Sequence, residues 1–284
     1  MADCAGFLRG GGGMANTEFS INTFSWIWTQ TISDCLSHLA DQGHRQFEAI
    51  MTPGHVWAAE LGTADRDAIG KLLSDRDLAF TSFNPGGWDN NMVSPSREIR
   101  DHTYRYLSSV VELAGQWGVP GVVISPGLAR PLLAAPRERM MDWLKESLDR
   151  LVPEAQRAGT ELLFENIPYT WLPKAKDLMA VLDDLNYGDG LALIYDVANG
   201  VFAKDDPVAD IELVKSRMNL VHISDTTTAE FRHDPIGRGD VPFEAVGNAL
   251  RQVGYDGPVV LEIISPEPDV DFPDGIEKLG EMGW

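Results

Sequence analysis

The chain has 284 residues, 44% of them hydrophobic, and its 43 acidic residues against 23 Lys and Arg give a formal net charge of −20. This length suits one large α/β domain or two small ones, and no apolar run is long enough to span a membrane. The acidic balance argues against nucleic-acid binding, which needs clustered Lys and Arg. The two cysteines, Cys4 and Cys35, provide no disulfide framework, so we predict a cytoplasmic protein.

The N-terminal residues 1–17 include a run of four glycines and lack the charged start and apolar segment of a secretory signal. We predict a flexible glycine-rich extension over residues 1–17 and a single catalytic domain over residues 18–284, ending in a short acidic segment.

From residue 19 onward, short apolar segments alternate with helical patterns. The predicted strands are 19–24, 47–51, 79–83, 122–125, 161–166, 191–196, 219–225 and 259–264. The predicted helices are 31–42, 64–76, 97–117, 136–158, 176–185 and 208–215. A further helix, which Asp240 could cap, places Phe243, Val246, Leu250 and Val253 on one buried face. Residues 265–284 are either a tail or include an added helix over 275–281. Eight such repeats favour a single (β/α)8 TIM barrel over an open doubly wound sheet. No Gly-x-Gly-x-x-Gly follows a strand to indicate dinucleotide binding.

Polar residues stand in or at the end of the last four predicted strands: Glu165, Asp196, His222 and Glu262. In a parallel barrel these strand ends share the face that carries active sites. Three carboxylates and an imidazole that converge there would repel one another unless a cation neutralised them. We therefore predict one bound divalent metal ion, with Mn²⁺ as first choice and Mg²⁺, Co²⁺ or Zn²⁺ also compatible. Taken singly, each residue is also compatible with a cap, a salt bridge or a core histidine.

Four segments resemble motifs of the xylose isomerase-like TIM-barrel superfamily, the sugar phosphate isomerase/epimerase group. They are Gly43-His-Arg-Gln-Phe-Glu48, Phe164-Glu165-Asn166, Val221-His222-Ile-Ser-Asp225, and Ile236-Gly-Arg-Gly-Asp240 with Gly254-Tyr-Asp-Gly257 and Glu262. The resemblance implies that the quartet binds the metal and that Glu165 and Glu262 exchange the substrate proton. Epimerases of this group usually carry His three residues after the sixth-strand Asp, whereas this chain has Asn199.

Further candidates for substrate binding lie close to the predicted strand ends. Five of them are loop residues: His55, Trp26, Trp88, Arg232 and His233. The other two, Asn166 and Asn199, follow the predicted ligands Glu165 and Asp196. The tryptophans could stack on a sugar face or simply pack in loops, and Arg232 could bind substrate or form a surface salt bridge. Asp225 could orient His222 or cap a loop.

The resulting hypothesis is a metal-dependent isomerase or epimerase of a keto-sugar or polyol derivative that acts through a metal-stabilised enediolate. A dehydratase or lyase acting on a keto-sugar or keto-inositol would use the same metal and glutamates. An endonuclease of abasic DNA and a non-catalytic binding barrel are further alternatives, and the acidic charge and the intact quartet argue against them, respectively. We predict a small carbohydrate substrate, no nucleic-acid or membrane partner, and leave a homo-oligomer open.

Overall fold

A closed barrel of parallel strands forms the centre of the computed structural model, which describes residues 18–86, 89–130 and 132–284. The strands are β1 (Phe19–Asn22), β2 (Gln46–Ile50), β3 (Ala79–Asn84), β4 (Gly121–Ile124), β5 (Glu161–Glu165), β6 (Leu191–Asp196), β7 (Met218–Ile223) and β8 (Val259–Leu261). Each strand pairs with its neighbours in chain order, and β8 closes the barrel by pairing with β1. The predicted (β/α)8 barrel is confirmed. The extension predicted for residues 1–17 lies outside the described residues.

Helices surround this barrel and fill the connections between its strands. They are α1 (Ile32–Asp41), α2 (Thr63–Arg76), α3 (Arg97–Trp117), α4 (Arg137–Ala158), α5 (Ala175–Leu185), α6 (Val197–Phe202), α7 (Pro207–Val214), α8 (Phe243–Gln252) and α9 (Pro268–Glu281). Both long helices, α3 and α4, end at a glycine in the left-handed region, Gly118 (φ 67°) and Gly159 (φ 76°), a conformation that glycine adopts without steric cost. Within the described part of the chain, no helix is long and apolar enough to cross a membrane.

The helices differ from the predictions in three places. Helix α6 was not predicted, because six residues are too few to show a helical period. Asp240 does not cap α8: the helix begins after Pro242, and the Asp240 carboxylate accepts a hydrogen bond from the Thr228 backbone N–H at 3.3 Å instead. The C-terminal helix is longer than predicted, since Pro268 occupies its first turn, where proline needs no helical hydrogen bond.

The interior of the barrel explains why the polar side chains of the last strands face one place. Successive side chains of a strand point to opposite faces, so residues two apart share a face. A small apolar cluster fills the interior, separate from the larger core between strands and helices: Val123, Leu163, Ala192, Ile194, Leu220 and Val260. Glu165, Asp196, His222 and Glu262 each follow one of these interior residues by two positions. The quartet therefore forms the next layer above this cluster, at the carboxyl ends of the strands.

The opposite end of β5 carries a half-buried carboxyl that has no place in that layer. Glu161 begins the strand, and its Oε2 accepts a hydrogen bond from the Asn219 side-chain amide at 2.6 Å. Burial raises the pKa of the Glu161 carboxyl to about 7, with the Asn219 hydrogen bond acting against the rise. Because β5 is parallel to its neighbours, Glu161 lies at the amino-end face of the barrel, the face that serves stability in this fold.

Candidate metal centre

Four buried side chains meet at the carboxyl ends of the last four strands. Glu165 and Asp196 end β5 and β6, His222 lies in β7, and Glu262 directly follows β8. Each offers one oxygen or nitrogen atom, and these four atoms lie within 4.8 Å of one another. All four residues are buried. The structure thus brings together the quartet that the strand ends predicted.

Several polar atoms at the centre of the quartet lack hydrogen-bond partners within the described residues: Asp196 Oδ2, His222 Nδ1 and Glu262 Oε2. His222 Nδ1 lies 3.1 Å from Glu262 Oε2, 3.4 Å from Glu165 Oε1 and 3.8 Å from Asp196 Oδ2. Buried polar atoms without partners are unfavourable by about 1–3 kcal/mol each. A divalent cation would satisfy all of them at once, and three carboxylates with one imidazole suit Mn²⁺ or a similar ion. The residues present therefore fit a metal ion.

The electrostatics of the quartet also favour a positive charge at its centre. Burial raises the pKa of the Glu165 carboxyl, against the lowering effect of His222. Burial likewise raises the pKa of Asp196 to about 6. Burial alone would lower the pKa of His222, but the carboxylates of Glu48 and Glu262 raise it well above its ordinary value. The group of acids thus attracts whatever cation it can reach, a proton on His222 or a metal ion.

Glu48 contacts the quartet and was not among the predicted site residues. It lies on β2, fully buried, and its Oε2 accepts hydrogen bonds from Ser82 Oγ at 2.5 Å and from His222 Nε2 at 3.1 Å. The Asn22 amide donates to its other oxygen at 2.6 Å. Burial would raise the pKa of Glu48, but the charge of His222 and these hydrogen bonds lower it, so the carboxylate is ionised and can only accept. Nε2 then donates to Glu48, and Nδ1 of His222 is the ring nitrogen that faces the quartet and could bind a cation.

The two predicted asparagines support the quartet in different ways. Asn166 forms two hydrogen bonds with the Asp196 backbone, donating from Nδ2 to the carbonyl oxygen at 2.9 Å and accepting from the N–H at 2.7 Å. Asn199 is the third residue of α6. Its backbone N–H donates to Asp196 Oδ1 at 2.7 Å, and its side-chain amide donates to Glu165 Oε1 at 3.3 Å. Asn199 Oδ1 is buried without a partner in the described chain, so it can still accept a hydrogen bond from a ligand.

The predicted loop residues His233, His55 and Arg232 have three different placements. His233 joins the quartet, since its Nδ1 lies 3.0 Å from Ser224 Oγ and 3.3 Å from Glu262 Oε2. His55 is buried with both ring nitrogens engaged, Nδ1 at 2.7 Å from the Gln30 carbonyl and Nε2 at 3.0 Å from Thr23 Oγ1, and burial lowers its pKa. Arg232 forms an exposed ion pair with Glu230 at 2.8 Å.

The predicted tryptophans are not equivalent. Trp26 is buried in the outer core, where its ring packs against Phe272 with 5.2 Å between ring centroids. Trp28, two residues later, is 82% exposed. Trp88 lies outside the described residues. Substrate contact by Trp26 or Trp88 stays a prediction.

Asp225 anchors a loop and makes no hydrogen bond to His222. Its buried carboxylate accepts hydrogen bonds from the backbone N–H groups of Gly237 and Gly239, both at 2.8 Å, and from those of Thr226 at 2.9 Å and Val241 at 3.2 Å. The orientation of His222 comes from Glu48 instead. Of the two roles considered for Asp225, these contacts show the structural one.

Comparison with known proteins defines the family. The sequence profile of the xylose isomerase-like TIM barrel family matches residues 36–282, and the chain belongs to this family. The resemblance inferred from the sequence motifs is thereby confirmed.

Individual relatives share only part of the sequence of this chain. The chain is 30% identical over 129 residues to the L-ribulose-5-phosphate 3-epimerase UlaE of Salmonella paratyphi A, a match that covers 45% of this chain and 44% of that protein. The chain thus spans less than half the length of this curated relative. A D-tagatose 3-epimerase-like protein superposes with a TM-score of 0.82 at 19% identity, covering 94% of this chain and 97% of the other. The 3-keto-D-glucoside 4-epimerase YcjR of E. coli gives 0.77 at 19% identity, covering 93% and 99%. Both structural likenesses show the fold.

Proposed function

We propose that this protein is a divalent-metal-dependent isomerase or epimerase of a keto-sugar or polyol derivative. The observation that carries the proposal is that the four buried side chains converge. Within the described residues, one polar atom each of Asp196, His222 and Glu262 has no hydrogen-bond partner. The relatives support it, since those described above are named as epimerases, or as similar to one, and the named substrates are sugars. Mn²⁺ is our first choice of metal, because the donor set is mainly oxygen with one nitrogen.

When bound, the cation would act as a Lewis acid that stabilises negative charge on the carbonyl and neighbouring hydroxyl oxygens of the substrate. Glu165 and Glu262 supply the proton transfer. They stand on β5 and directly after β8, on either side of His222, so that one can remove a proton from the carbon next to the carbonyl and the other can return one. Return to the opposite face of that carbon gives epimerisation, and return to the neighbouring carbon gives isomerisation.

Amide groups orient both of these carboxylates. Asn22 donates to Glu262 Oε1 and Asn199 donates to Glu165 Oε1, each at 3.3 Å. Glu262 therefore has Oε1 held by an amide, while its Oε2 has no hydrogen-bond partner within the described residues. The Glu165 oxygen that Asn199 holds is also the one that lies 3.4 Å from His222 Nδ1. His233, 3.3 Å from Glu262 Oε2, is placed to form a hydrogen bond with a substrate hydroxyl beside the acid.

Metal analysis of the purified protein tests the centre, with wild type compared with Glu165→Gln and His222→Ala. We expect one divalent ion per chain in the wild type, and loss or weakening of binding in both variants, because each removes a donor from the quartet. Glu277→Gln, an exposed glutamate of α9, is the matched control and should bind metal as the wild type does. Absence of metal in every sample, even after incubation with Mn²⁺, would refute the proposal.

Solvent exchange tests the chemistry separately. Ketoses and keto-inositols incubated with the metal-loaded protein in deuterated water should take up deuterium at the carbon next to the carbonyl. Product analysis then separates the reactions, since an epimer or isomer keeps the composition of the substrate whereas a dehydratase releases water. Uptake at the same rate in Glu262→Gln would show that Glu262 transfers no proton.

A further inference from the structure

A cavity of about 630 Å³ lies at the carboxyl ends of the first three strands, the end of the barrel that also carries the metal centre. Short chain segments connect its wall to residues that contact the centre. Phe24 in its wall lies two residues after Asn22, which bonds to Glu262, and Ile50 lies two residues after Glu48. A cavity of this volume is within the range of small-molecule sites. The cavity wall therefore lies two residues along the chain from Asn22 and Glu48, which contact Glu262 and His222.

Aromatic and apolar side chains make up most of the cavity wall. The rings of Trp57 and Tyr106 stack with 4.6 Å between centroids, and the Tyr106 hydroxyl donates to the Pro85 carbonyl at 3.1 Å. These contacts hold the two rings in fixed positions. Trp28, the most exposed tryptophan with a described side chain, completes the wall. Such a surface suits an apolar group or the C–H face of a ring.

The charge of the cavity is unsuited to a phosphate group. Among the lining residues that the structure describes there is no Lys or Arg; the titratable side chains other than Tyr106 are the carboxylate of Asp89 and the imidazole of His102. The three acids of the quartet lie at the same end of the barrel. Phosphate recognition normally relies on Lys, Arg or a cluster of free backbone N–H groups.

A second, independent observation concerns the usual phosphate position of this fold. In (β/α)8 barrels, phosphate frequently binds at the loops that follow strands seven and eight. In this chain, backbone N–H groups of the loop after β7, including those of Gly237 and Gly239, already donate to the buried Asp225 carboxylate. These N–H groups are therefore not free to bind an anion.

From these two observations we propose that the substrate is an uncharged ketose derivative without phosphate, and that its non-reacting end carries an apolar group held between Trp28, Trp57 and Tyr106. The assignment rests on the proposed function for the reacting end of the molecule. It defines a substrate class different from that named for UlaE, which is a sugar phosphate.

The test uses a panel of ketopentoses and ketohexoses, each offered as the free sugar, the terminal phosphate and the terminal benzyl ether. Deuterium uptake from solvent measures turnover by the Mn²⁺-loaded protein, and tryptophan fluorescence measures binding independently of turnover. We expect kcat/KM to be about tenfold higher for the benzyl ether than for the free sugar, and about tenfold lower for the phosphate. Trp28→Ala should lower kcat/KM for the benzyl ether about tenfold and leave the free sugar within about twofold. Val270→Ala, an exposed apolar residue of α9, should change neither.

Asp89→Lys adds a charge-reversal arm, since it should improve the phosphate form relative to the free sugar. Turnover with a preference for the phosphate form, or equal effects of Trp28→Ala on all three forms, would overturn the assignment while the proposed function stands. Binding of the benzyl ethers that depends on Trp28, without deuterium uptake from any sugar, would instead overturn the proposed function and support the cavity assignment.

Discussion

Replacement of Glu48 by Gln would remove the acceptor that fixes the ring of His222. The Glu48 carboxylate accepts hydrogen bonds from His222, Ser82 and Asn22 at 2.5–3.1 Å. An amide at this position has one acceptor oxygen, and its NH₂ group would face at least one of these donors. His222 would then either lose its partner or change tautomer, which would place a proton on the Nδ1 atom that faces the quartet.

The expected effect follows from these contacts. Loss of a hydrogen-bonding partner behind a metal ligand typically weakens metal binding or activity by about 10–100-fold, which corresponds to about 1.4–2.8 kcal/mol. A buried donor left without a partner lowers the free energy of unfolding by about 1–3 kcal/mol. We therefore expect Glu48→Gln to remain folded, with weaker metal binding and a lower melting temperature.

Calorimetric titration of the metal-free protein with Mn²⁺ measures the metal affinity. Thermal unfolding without metal measures the stability. Ser82→Ala is the matched control, because it removes a partner of Glu48 and leaves the Glu48–His222 hydrogen bond in place. It should lower stability slightly and change the metal affinity far less than Glu48→Gln. A Glu48→Gln variant that binds Mn²⁺ as tightly as the wild type would refute this account of His222.

Three further predictions follow from other parts of the structure. Glu262→Gln should lower turnover by about 10²–10⁴-fold with the fold retained, since it removes a proton-transfer group; steady-state kinetics and circular dichroism measure the two effects. Glu161→Gln should stabilise the protein at pH 8 by up to about 3 kcal/mol. The folded-state pKa of Glu161, about 7, lies above its ordinary value of 4.5, so this carboxyl lowers the free energy of unfolding as pH rises from about 4.5 to 7. The stability difference between wild type and Glu161→Gln should therefore vanish below pH 4.5. Urea unfolding at pH 8 and below pH 4.5 measures this difference. Gly239→Ala should destabilise the protein by about 1–3 kcal/mol, because a Cβ there would lie 2.1 Å from the Thr226 carbonyl oxygen; Gly280→Ala, with open space in α9, should stabilise it by about 0.4–1 kcal/mol.

Each of these predictions has its own contradicting result. Unchanged kinetics in Glu262→Gln would remove that residue from the mechanism. For Glu161→Gln, the exposed Glu277→Gln serves as control, and a stability difference that does not depend on pH would show that ionisation of Glu161 is not its cause. Equal effects of the two glycine substitutions would show that the backbone around Gly239 can move aside.

Local sequence patterns predicted much of this architecture. The apolar strands and the intervening helical periods predicted the barrel, because strand alternation and helix periodicity are set by residues close in sequence. The quartet was predicted from polar residues in or at the ends of the last four strands. The structure shows that each lies two positions after an interior apolar residue, as with Ile194 and Asp196 or Leu220 and His222. Parallel strands then required these side chains to share one end.

Tertiary structure alone decided which distant residues complete the site. Glu48 ends a segment that resembles a family motif, but only closure of the barrel brings it to His222, 174 positions away. The same holds for the difference between Trp26 and Trp28, which depends on whether a neighbouring helix covers the ring: Phe272 of α9 packs against the first and leaves the second exposed. Burial, the partner of a hydrogen bond and the wall of a cavity are properties of surfaces formed by segments far apart in the chain. Local sequence patterns do not specify them, because they depend on how the whole chain packs.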